Sequence, residues 1–471
     1  MKGIVRIGKP QNEAYRIKRG LDLPMAGAVQ PMVMDVRGVA LYAVQPCNYV
    51  GVNARVAVKE GDTVKAGSLL FEDRDNPAAR YTSPVSGVVK EVRRGERRAL
   101  EAVTVVSDNA WTSESFPSWK GEDATGDEVA QLMCESGLWT SLVRRPFGTV
   151  PQTDERPRDI FVTFFESVPL APDYDFMLRD RMGDLHVGLS ALSKLTQGAV
   201  HAGFRKGQEI VENMPSCVKK HYFEGPHPAG NIGTQIAAVC PINKGESVWS
   251  IDAQSVAILG NLLRTGKYRP ERMFAFVGSE AVSPRYYKAF AGASLENIVR
   301  EQIPEEKQRM HTRIILGSVL SGRAIGCEGF LSMTCSQVCA IPEGDHYDFM
   351  GWLAPGLKKF STTRTFVSGF LPKPILAYLG KKAVFEMDTN LHGDPRPLVF
   401  TGNLEQVFPM DIYPLQLLKA CIIGDIELME NLGIYEVEPE DFALCEFVDP
   451  SKTEMQQIVR QALETIRKEG M

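Results

Sequence analysis

No uninterrupted apolar run in this sequence approaches the roughly 18–20 residues that cross a bilayer, so the chain offers no transmembrane path of its own. The first residues, Met1-Lys2-Gly3-Ile4-Val5-Arg6, lead into Lys9, Arg16, Lys18 and Arg19 without the apolar core of a signal peptide. A cytoplasmic chain, or one lying on a membrane from the cytoplasmic side, is therefore expected. Basic residues are not in excess: 53 Lys and Arg face 58 Asp and Glu, for a net charge of −5. That balance lacks the electrostatic footprint of a nucleic-acid binder. Cysteine is too sparse for a secreted disulfide scaffold, with nine in 471 residues at irregular spacing. The nearest pairs, Cys335–Cys339 and Cys327–Cys335, are not Cys-x-x-Cys. Reduced, packed thiols are expected, and a linear reading does not say whether Cys327, Cys335 and Cys339 meet in space.

Cofactor and catalytic motifs are missing as well. A dinucleotide site needs Gly-x-Gly-x-x-Gly between a strand and a helix, so that backbone N–H groups face the pyrophosphate. That triplet is absent, as are Gly-x-x-x-x-Gly-Lys-Ser/Thr, Gly-x-Ser-x-Gly and His-Glu-x-x-His. Seven histidines are a thin supply for catalysis, and none lies at zinc spacing. No catalytic, cofactor-binding or metal-ligating residue is assigned on this basis.

What remains is ordinary globular composition, 44% hydrophobic and 24% charged, in a length that suits about three or four domains. Within 1–110, Glu60-Gly61-Asp62-x-Val64-x-x-Gly67-x-Leu69-Leu70 and Ser83-Pro84-Val85-Ser86-Gly87-x-Val89 read as short strands with glycine turns. The pattern resembles the flattened barrel of biotin and lipoyl carriers. True carriers present a lysine at the hairpin tip; the stretch from Glu72 to Arg80 has none, so nothing can be attached there. Lys90, Arg93, Arg94, Arg97 and Arg98 form a basic cluster, either a solvated strand end or a docking patch for an acidic partner or anionic lipid.

Residues 107–127 read as a linker, and 128–145 carry helical spacing. Ile160–Phe165 suits a buried strand, Met182–Leu195 and Gln254–Leu263 suit helices, and Gly198–Phe204, Ala237–Cys240 and Val248–Ile251 suit strands. Together they predict an α/β domain over 128–265. A β-grasp-like module follows over 266–345, then an extended connection over 346–385, with Pro355, Pro372 and Pro374. A helical domain closes the chain over 386–471. From 421 onward it carries twelve acidic and four basic residues, either a solvated face or a steering surface for a basic partner.

Two stretches stand out. Gly225-Pro226-His227-Pro228-Ala229-Gly230-Asn231-Ile232-Gly233-Thr234 is dense in special-backbone residues, with His227 its one titratable group. It is either a structural turn or a contact loop for a ligand or subunit, with Gly225, His227, Pro228, Gly230 and Gly233 as candidates. The second is an echo between Val407-Phe408-Pro409 and Val448-Asp449-Pro450. Set against the bacterial iron–sulfur run Cys-x-x-Cys-x-x-Cys-x-x-x-Cys-Pro, the ligand slots before Pro409 are Leu398, Thr401, Leu404 and Phe408. Those before Pro450 are Pro439, Phe442, Cys445 and Asp449. A cluster needs four thiolates, and these slots hold one thiol between them, so neither frame binds one. The reading is a two-cluster helical fold stripped of its ligands; a chance echo in an ordinary helical domain is the alternative.

Taken together, the chain resembles the NqrA family of sodium-translocating NADH:quinone oxidoreductases. The resemblance rests on Ile17-x-Arg19-Gly20-Leu21-Asp22-Leu23-Pro24-x-Ala26-Gly27, Phe71-Glu72-Asp73-x-x-Asn76-Pro77, Arg93-Arg94-Gly95-Glu96-x-Arg98, Gly225–Gly230 and Gly233-Thr234. The related RnfC family of ferredoxin-linked pumps is similar, with both cluster motifs filled; an RnfC-like electron-transfer flavoprotein or iron–sulfur subunit is the alternative function. The middle of the chain is also similar to the flavin- and NADH-binding subunit of respiratory complex I, without its glycine-rich loop. The resemblance implies a multidomain α/β and α+β chain: carrier-like barrel, Rossmann-like α/β domain, β-grasp (SLBB-like) domain and a helical domain like a cluster-less double ferredoxin. It implies a peripheral subunit on the cytoplasmic face of the bacterial inner membrane, partnered by subunits B to F. The whole complex oxidises NADH, reduces quinone and exports Na⁺. Flavins, iron–sulfur and NADH are then carried by other subunits, no cofactor by this chain, which is associated with the quinone end.

Overall fold

The computed structural model describes residues 3–7, 14–36, 38–118, 121–346, 349–356, 359–362, 366–369, 384–399 and 401–469. The chain opens with β1 (Ile4–Ile7), β2 (Ala14–Ile17) and β3 (Gln30–Asp35), none of which joins the barrel that follows. The barrel has two sheets. Strands β4 (Leu41–Val44), β5 (Ala54–Val56), β6 (Thr63–Val64), β7 (Leu69–Asp73), β8 (Arg80–Thr82), β9 (Gly87–Arg94) and β10 (Leu100–Ser107) sort into orders β4-β10-β9-β6 and β5-β7-β8. Gly61 takes a left-handed φ of 90°, and Asp62 closes that turn by accepting the Lys59 N–H at 2.7 Å. Phe71 and Tyr81 stack across the barrel core at 4.6 Å. The tip between β7 and β8 is tied by Asp73, which accepts the N–H groups of Asn53 and Asp75.

The next layer begins with α1 (Gly126–Ser136), started by a reciprocal Thr125/Glu128 cap and stopped by Gly137 at φ 86°. The helical pattern expected to reach 145 therefore ends early. A 3-10 turn follows at Leu138–Ser141, then β11 (Val143–Arg145). After it come β12 (Ile160–Thr163), α2 (Tyr174–Leu178), α3 (Met182–Leu192), β13 (Val200–Arg205), β14 (Val218–Glu224), α4 (Ile232–Val239), β15 (Val248–Asp252) and α5 (Ala253–Thr265). The strand expected at Ala237–Cys240 is instead the end of α4. A four-residue apolar run does not separate strand from helix, and Ile232 and Ile236 one turn earlier share its buried face. Helix α5 is capped by the Asp252 carboxylate, which accepts from Gln254 and Ser255, and ends at Gly266 in the left-handed region.

The seven strands run β1-β2-β14-β13-β12-β15-β11. Strands β14, β13, β12 and β15 are mutually parallel. Their apolar runs are covered on both faces, as parallel sheets require: Ile160, Phe161 and Val162 are buried. Burying each such side chain contributes roughly 1.5–3 kcal/mol. The open edge of β14 is closed by β2 from the N-terminal stretch, a covering that an exposed strand edge needs.

A third unit comprises β16 (Glu271–Val277), β17 (Arg285–Phe290), α6 (Glu296–Gln302), α7 (Glu306–Met310), β18 (Thr312–Leu316), β19 (Arg323–Ile325) and β20 (Gln337–Pro342). Its sheet order is β19-β18-β20-β16-β17-β3, so the N-terminal stretch supplies an edge here too. Of the connection expected over 346–385, Pro372 and Pro374 lie outside the described residues. The chain ends in α8 (Leu404–Val407), α9 (Pro414–Ile423), α10 (Ile426–Asn431), α11 (Ala443–Val448) and α12 (Met455–Glu469). Helix α12 turns Met455, Val459, Ala462, Leu463 and Ile466 inward onto one core.

Candidate functional site

The strand order fixes where a ligand can enter. From β12 the chain winds outward through β13 and β14, then returns to place β15 on the other side of β12. In such sheets the crevice opens at the carboxyl ends of the two strands flanking this switch, here β12 and β15. A cleft of about 300 Å³ lies there, bounded by Thr163 and Asp252 at the strand ends. Val143, Ile232 and Ile251 give it apolar walls, and Arg145, Glu438 and Arg460 give it charge. A second cavity, about 30 Å³, lies beneath Tyr49, Tyr81 and Tyr268 and has room for about one water.

The charged wall is supplied by Arg145 at the end of β11, by the turn at 438–441 and by Arg460 of α12. Arg145 is buried; its guanidinium hydrogen-bonds Glu440 and lies 3.8 Å from Asp441. Arg460 pairs with Glu438 at 3.0 Å and donates to the Phe147 carbonyl at 2.9 Å. Asp441 accepts the Glu438 N–H at 2.9 Å. Burial pushes the Glu438 carboxyl up to about 7, against the pull of Arg145 and Arg460. Burial raises Asp441 too, with Arg145 opposing. One oxygen of each carboxyl is buried without a hydrogen-bond partner, which favours a retained proton.

The loop leaving β12 differs from a phosphate cradle. It runs Phe164-Phe165-Glu166-Ser167 with no glycine, and its side chains are engaged. Glu166 accepts from Tyr174 at 2.6 Å and from Ser336 at 2.7 Å. Ser167 accepts the Gly230 N–H at 2.7 Å and meets His227 Nδ1 at 3.0 Å.

The residues singled out in the 225–234 loop come together as a clasp. His227 is 2% exposed. Its N–H donates to Asp22 at 2.8 Å and its carbonyl accepts from Leu21 at 2.8 Å. Burial lowers its imidazole pKa to about 4, so the ring is neutral at pH 7. The backbone approach is close enough that a Cβ on Gly20 would sit 2.1 Å from the His227 carbonyl oxygen. Gly225 lies against Ile17, buried Pro228 follows His227, Gly230 lies against Ser167, and Gly233 abuts Asp441. The motif at 17–27 and the motif at 225–234 are thus two halves of one contact. His227 does not line the cleft; Ile232, five residues on, does.

The slots in the iron–sulfur frame converge as packing. Leu404, Phe408, Phe442 and Cys445 share one buried cluster, with Leu398 against it. The rings of Phe408 and Phe442 lie 5.1 Å apart. Asp449 accepts from Ser451 and Thr453, Thr401 accepts from Asn403, and Pro439 opens a 3-10 turn at the cleft. All nine cysteines are free thiols. Cys335 donates to the Gln337 carbonyl, Gln337 donates to Cys339, and burial pushes both thiols up to about 12.

Two features escaped linear reading. One is the ion-pair wall, since Arg145 and Glu440 are 295 residues apart. The other is a buried chain in which His201 Nδ1 meets His221 Nε2 at 2.8 Å and His201 Nε2 meets Asp159 at 3.3 Å. Adjacent strands β13 and β14 carry the two rings. The basic cluster forms the exposed tip of the β9–β10 hairpin. Among the described residues, no helix is long and apolar enough to cross a membrane.

A barrel sandwich, an α/β sheet with a switch-point cleft and a small mixed sheet define a multidomain protein of mixed α/β class. Family models match in that order: the NqrA N-terminal barrel-sandwich hybrid domain over residues 15–108, the NqrA second alpha/beta domain over 124–268, and the NQRA C-terminal (SLBB) domain over 273–326. The NqrA chain of the Na(+)-translocating NADH-quinone reductase of Neisseria meningitidis serogroup B is 36% identical, across 97% of this chain and all of that one. Its counterpart in Vibrio anguillarum is 38% identical, across 96% of this chain and 99% of that one. The chain belongs to the NqrA family of Na⁺-translocating NADH-quinone reductase subunits. Among solved structures, an air-oxidized NAD+-reducing [NiFe]-hydrogenase aligns over 73% of this chain and 66% of its own. The TM-score is 0.35 and the identity 11%, a slight likeness.

Proposed function

We propose that the chain is the peripheral subunit, free of redox cofactors, at the quinone-reducing end of a Na⁺-translocating NADH:quinone reductase. In this reading it sits on the cytoplasmic face of the bacterial inner membrane, binds no nucleic acid and docks on subunits B to F. Flavins, iron–sulfur and NADH reside on those partners. The complex takes NADH, quinone, H⁺ and inner Na⁺ to NAD⁺, quinol and outer Na⁺.

The observation that carries the reading is the composition of the switch-point cleft. Its walls set Val143, Ile232 and Ile251 beside two arginines and a carboxyl that holds a proton near neutrality. An apolar slot with a few polar groups suits a quinone ring. Arginine N–H groups donate to a quinone carbonyl, and protonated Glu438 is a proton source for the oxygen that becomes quinol. Electrons arrive from cofactors on partner subunits. The contact role expected of loop 225–233 then falls to Ile232, with His227 and its glycines holding that residue in place.

The C-terminal helices derive, in this reading, from a two-cluster ferredoxin fold whose ligand slots became core. An RnfC-like electron carrier would need four thiolates per cluster, and Cys445 is the one thiol in the eight slots. The domain limits 1–110, 128–265, 266–345, 346–385 and 386–471 belong to the same proposal, with the first two strands and β3 contributed to neighbouring sheets.

Two measurements test it. The purified chain should be colourless and iron-free; stoichiometric flavin or iron would contradict the cofactor-free part. In the assembled complex, Glu438→Gln should lower quinone reduction and flatten its pH profile near neutrality, while NADH-driven flavin reduction is retained. An unchanged profile would remove Glu438 as proton source.

A further inference from the structure

Outside the cleft, the third unit gathers His311, Asp345 and His346 at its surface. Each offers one ligand atom, and those atoms all lie within 4.8 Å of one another. Both rings address the same carboxylate. His311 Nδ1 meets one Asp345 oxygen, and His346 Nε2 lies 3.6 Å from the other. The rings are 5.3 Å apart, tilted by 30°.

The backbone fixes this arrangement. Strands β18 and β20 pair antiparallel with Thr312 opposite Pro342. One residue further out, the Glu343 N–H donates to the His311 carbonyl at 2.7 Å. The segment leaving β20 is thus tied across His311 before it delivers Asp345 and His346. Gly344 is held as well, by donating to Thr389 at 2.8 Å.

We propose that His311, Asp345 and His346 form a binding site for a divalent transition-metal ion of the zinc class. Two imidazoles and one carboxylate favour zinc, copper or nickel over magnesium, calcium or sodium, which prefer all-oxygen ligands. Zinc bonds of about 2.0–2.2 Å put tetrahedral ligands roughly 3.3 Å apart. The present atoms lie within 4.8 Å of one another on exposed side chains, so ion binding would draw them together. The side chains are 44%, 36% and 81% exposed, which leaves the fourth position to water or to a partner's ligand. The ion would staple the start of β18 to the exit from β20. It carries no electrons in this role, so the site does not depend on the quinone reading.

The test is a titration of the full-length, tag-free chain with Zn²⁺ against a chromogenic chelator, followed by Co²⁺ absorption and thermal melting. The site predicts one ion per chain, a visible Co²⁺ ligand-field band and a melting temperature that rises with Zn²⁺. It also predicts that His346→Ala and Asp345→Asn each weaken binding roughly tenfold or more, with metal-free melting unchanged. No stoichiometric binding by the parent chain would overturn it. So would parent-like affinity in both variants, or equal competition by Mg²⁺.

Discussion

Gly233 and Asp441 are in contact across the seam between the α/β sheet and the C-terminal helices: a Cβ at 233 would lie 2.5 Å from either carboxylate oxygen. The first turn of α4 therefore has no room for a side chain where the helical domain closes on the cleft. Asp441 is in turn tied to Arg145 and to the Glu438 backbone.

Gly233→Ala forces the new methyl group against a buried carboxylate. Overpacking of this kind costs about 1–3 kcal/mol. Denaturant unfolding should show that loss, with the helical domain protected less against hydrogen exchange than the barrel. A neutral or stabilising effect would show that the seam is looser than described.

The buried histidine pair gives a pH dependence of fixed sign. Burial and neighbouring His201 lower His221 to about 4, below the ordinary histidine value of 6.5. Between those values the unfolded chain binds the proton and the folded chain does not, so stability falls as pH drops from about 6.5 to 4. The ceiling is on the order of 3 kcal/mol. Glu438 acts oppositely. Its folded value is raised, so the folded chain keeps a proton the unfolded one sheds, and stability falls as pH rises from about 4.5 to 7. Melting curves across this range should show a shallower acid-side slope in His221→Phe, with His227 supplying the remainder, and a shallower neutral-side slope in Glu438→Gln, with Asp441 supplying the remainder.

Phe408→Ala removes a ring that fills the core of the helical domain against Phe442. A loss of about 3–5 kcal/mol is expected, read as partial proteolysis after residue 400 before the rest of the chain. Resistance equal to the parent would mean that these former slots are not packed as core.

His227→Ala removes a buried ring, five residues before Ile232, that bonds Ser167. About 1–3 kcal/mol of stability should go with it, and quinone reduction should fall through displacement of Ile232 while flavin reduction persists. Unchanged quinone reduction per assembled complex would leave the loop as a clasp between residues 20–22 and the sheet, with no part in the cleft.

Much of this architecture can be read from local pattern. Ile160–Val162 announces a buried strand by its unbroken apolar run, and α5 is bracketed by Asp252 and Gly266, a cap and a stop that act within a few residues. Turns at Gly61 and Gly67 declare the barrel because both sit at positive φ, where glycine alone relaxes. The same locality explains what is hidden. Asp22 and the His227 backbone are 205 residues apart, so two recognisable motifs give no sign that they are one contact. Ala237–Cys240 is too short to reveal its period. The cleft's charged wall joins β11 to a turn near 440, and neither stretch is unusual alone. Strands β1, β2 and β3 complete sheets built later in the chain, a set of edge hydrogen bonds that no alternation pattern records.

Substituting Ile232→Trp would fill the cleft from the first residue of α4 while leaving every charged residue of its wall in place. In the assembled complex, stopped-flow reduction by NADH should leave flavin reduction at the parent rate while quinone reduction falls at least about tenfold and the quinone KM rises. Parent-like quinone reduction with the cleft filled would contradict the central claim that quinone is handled there.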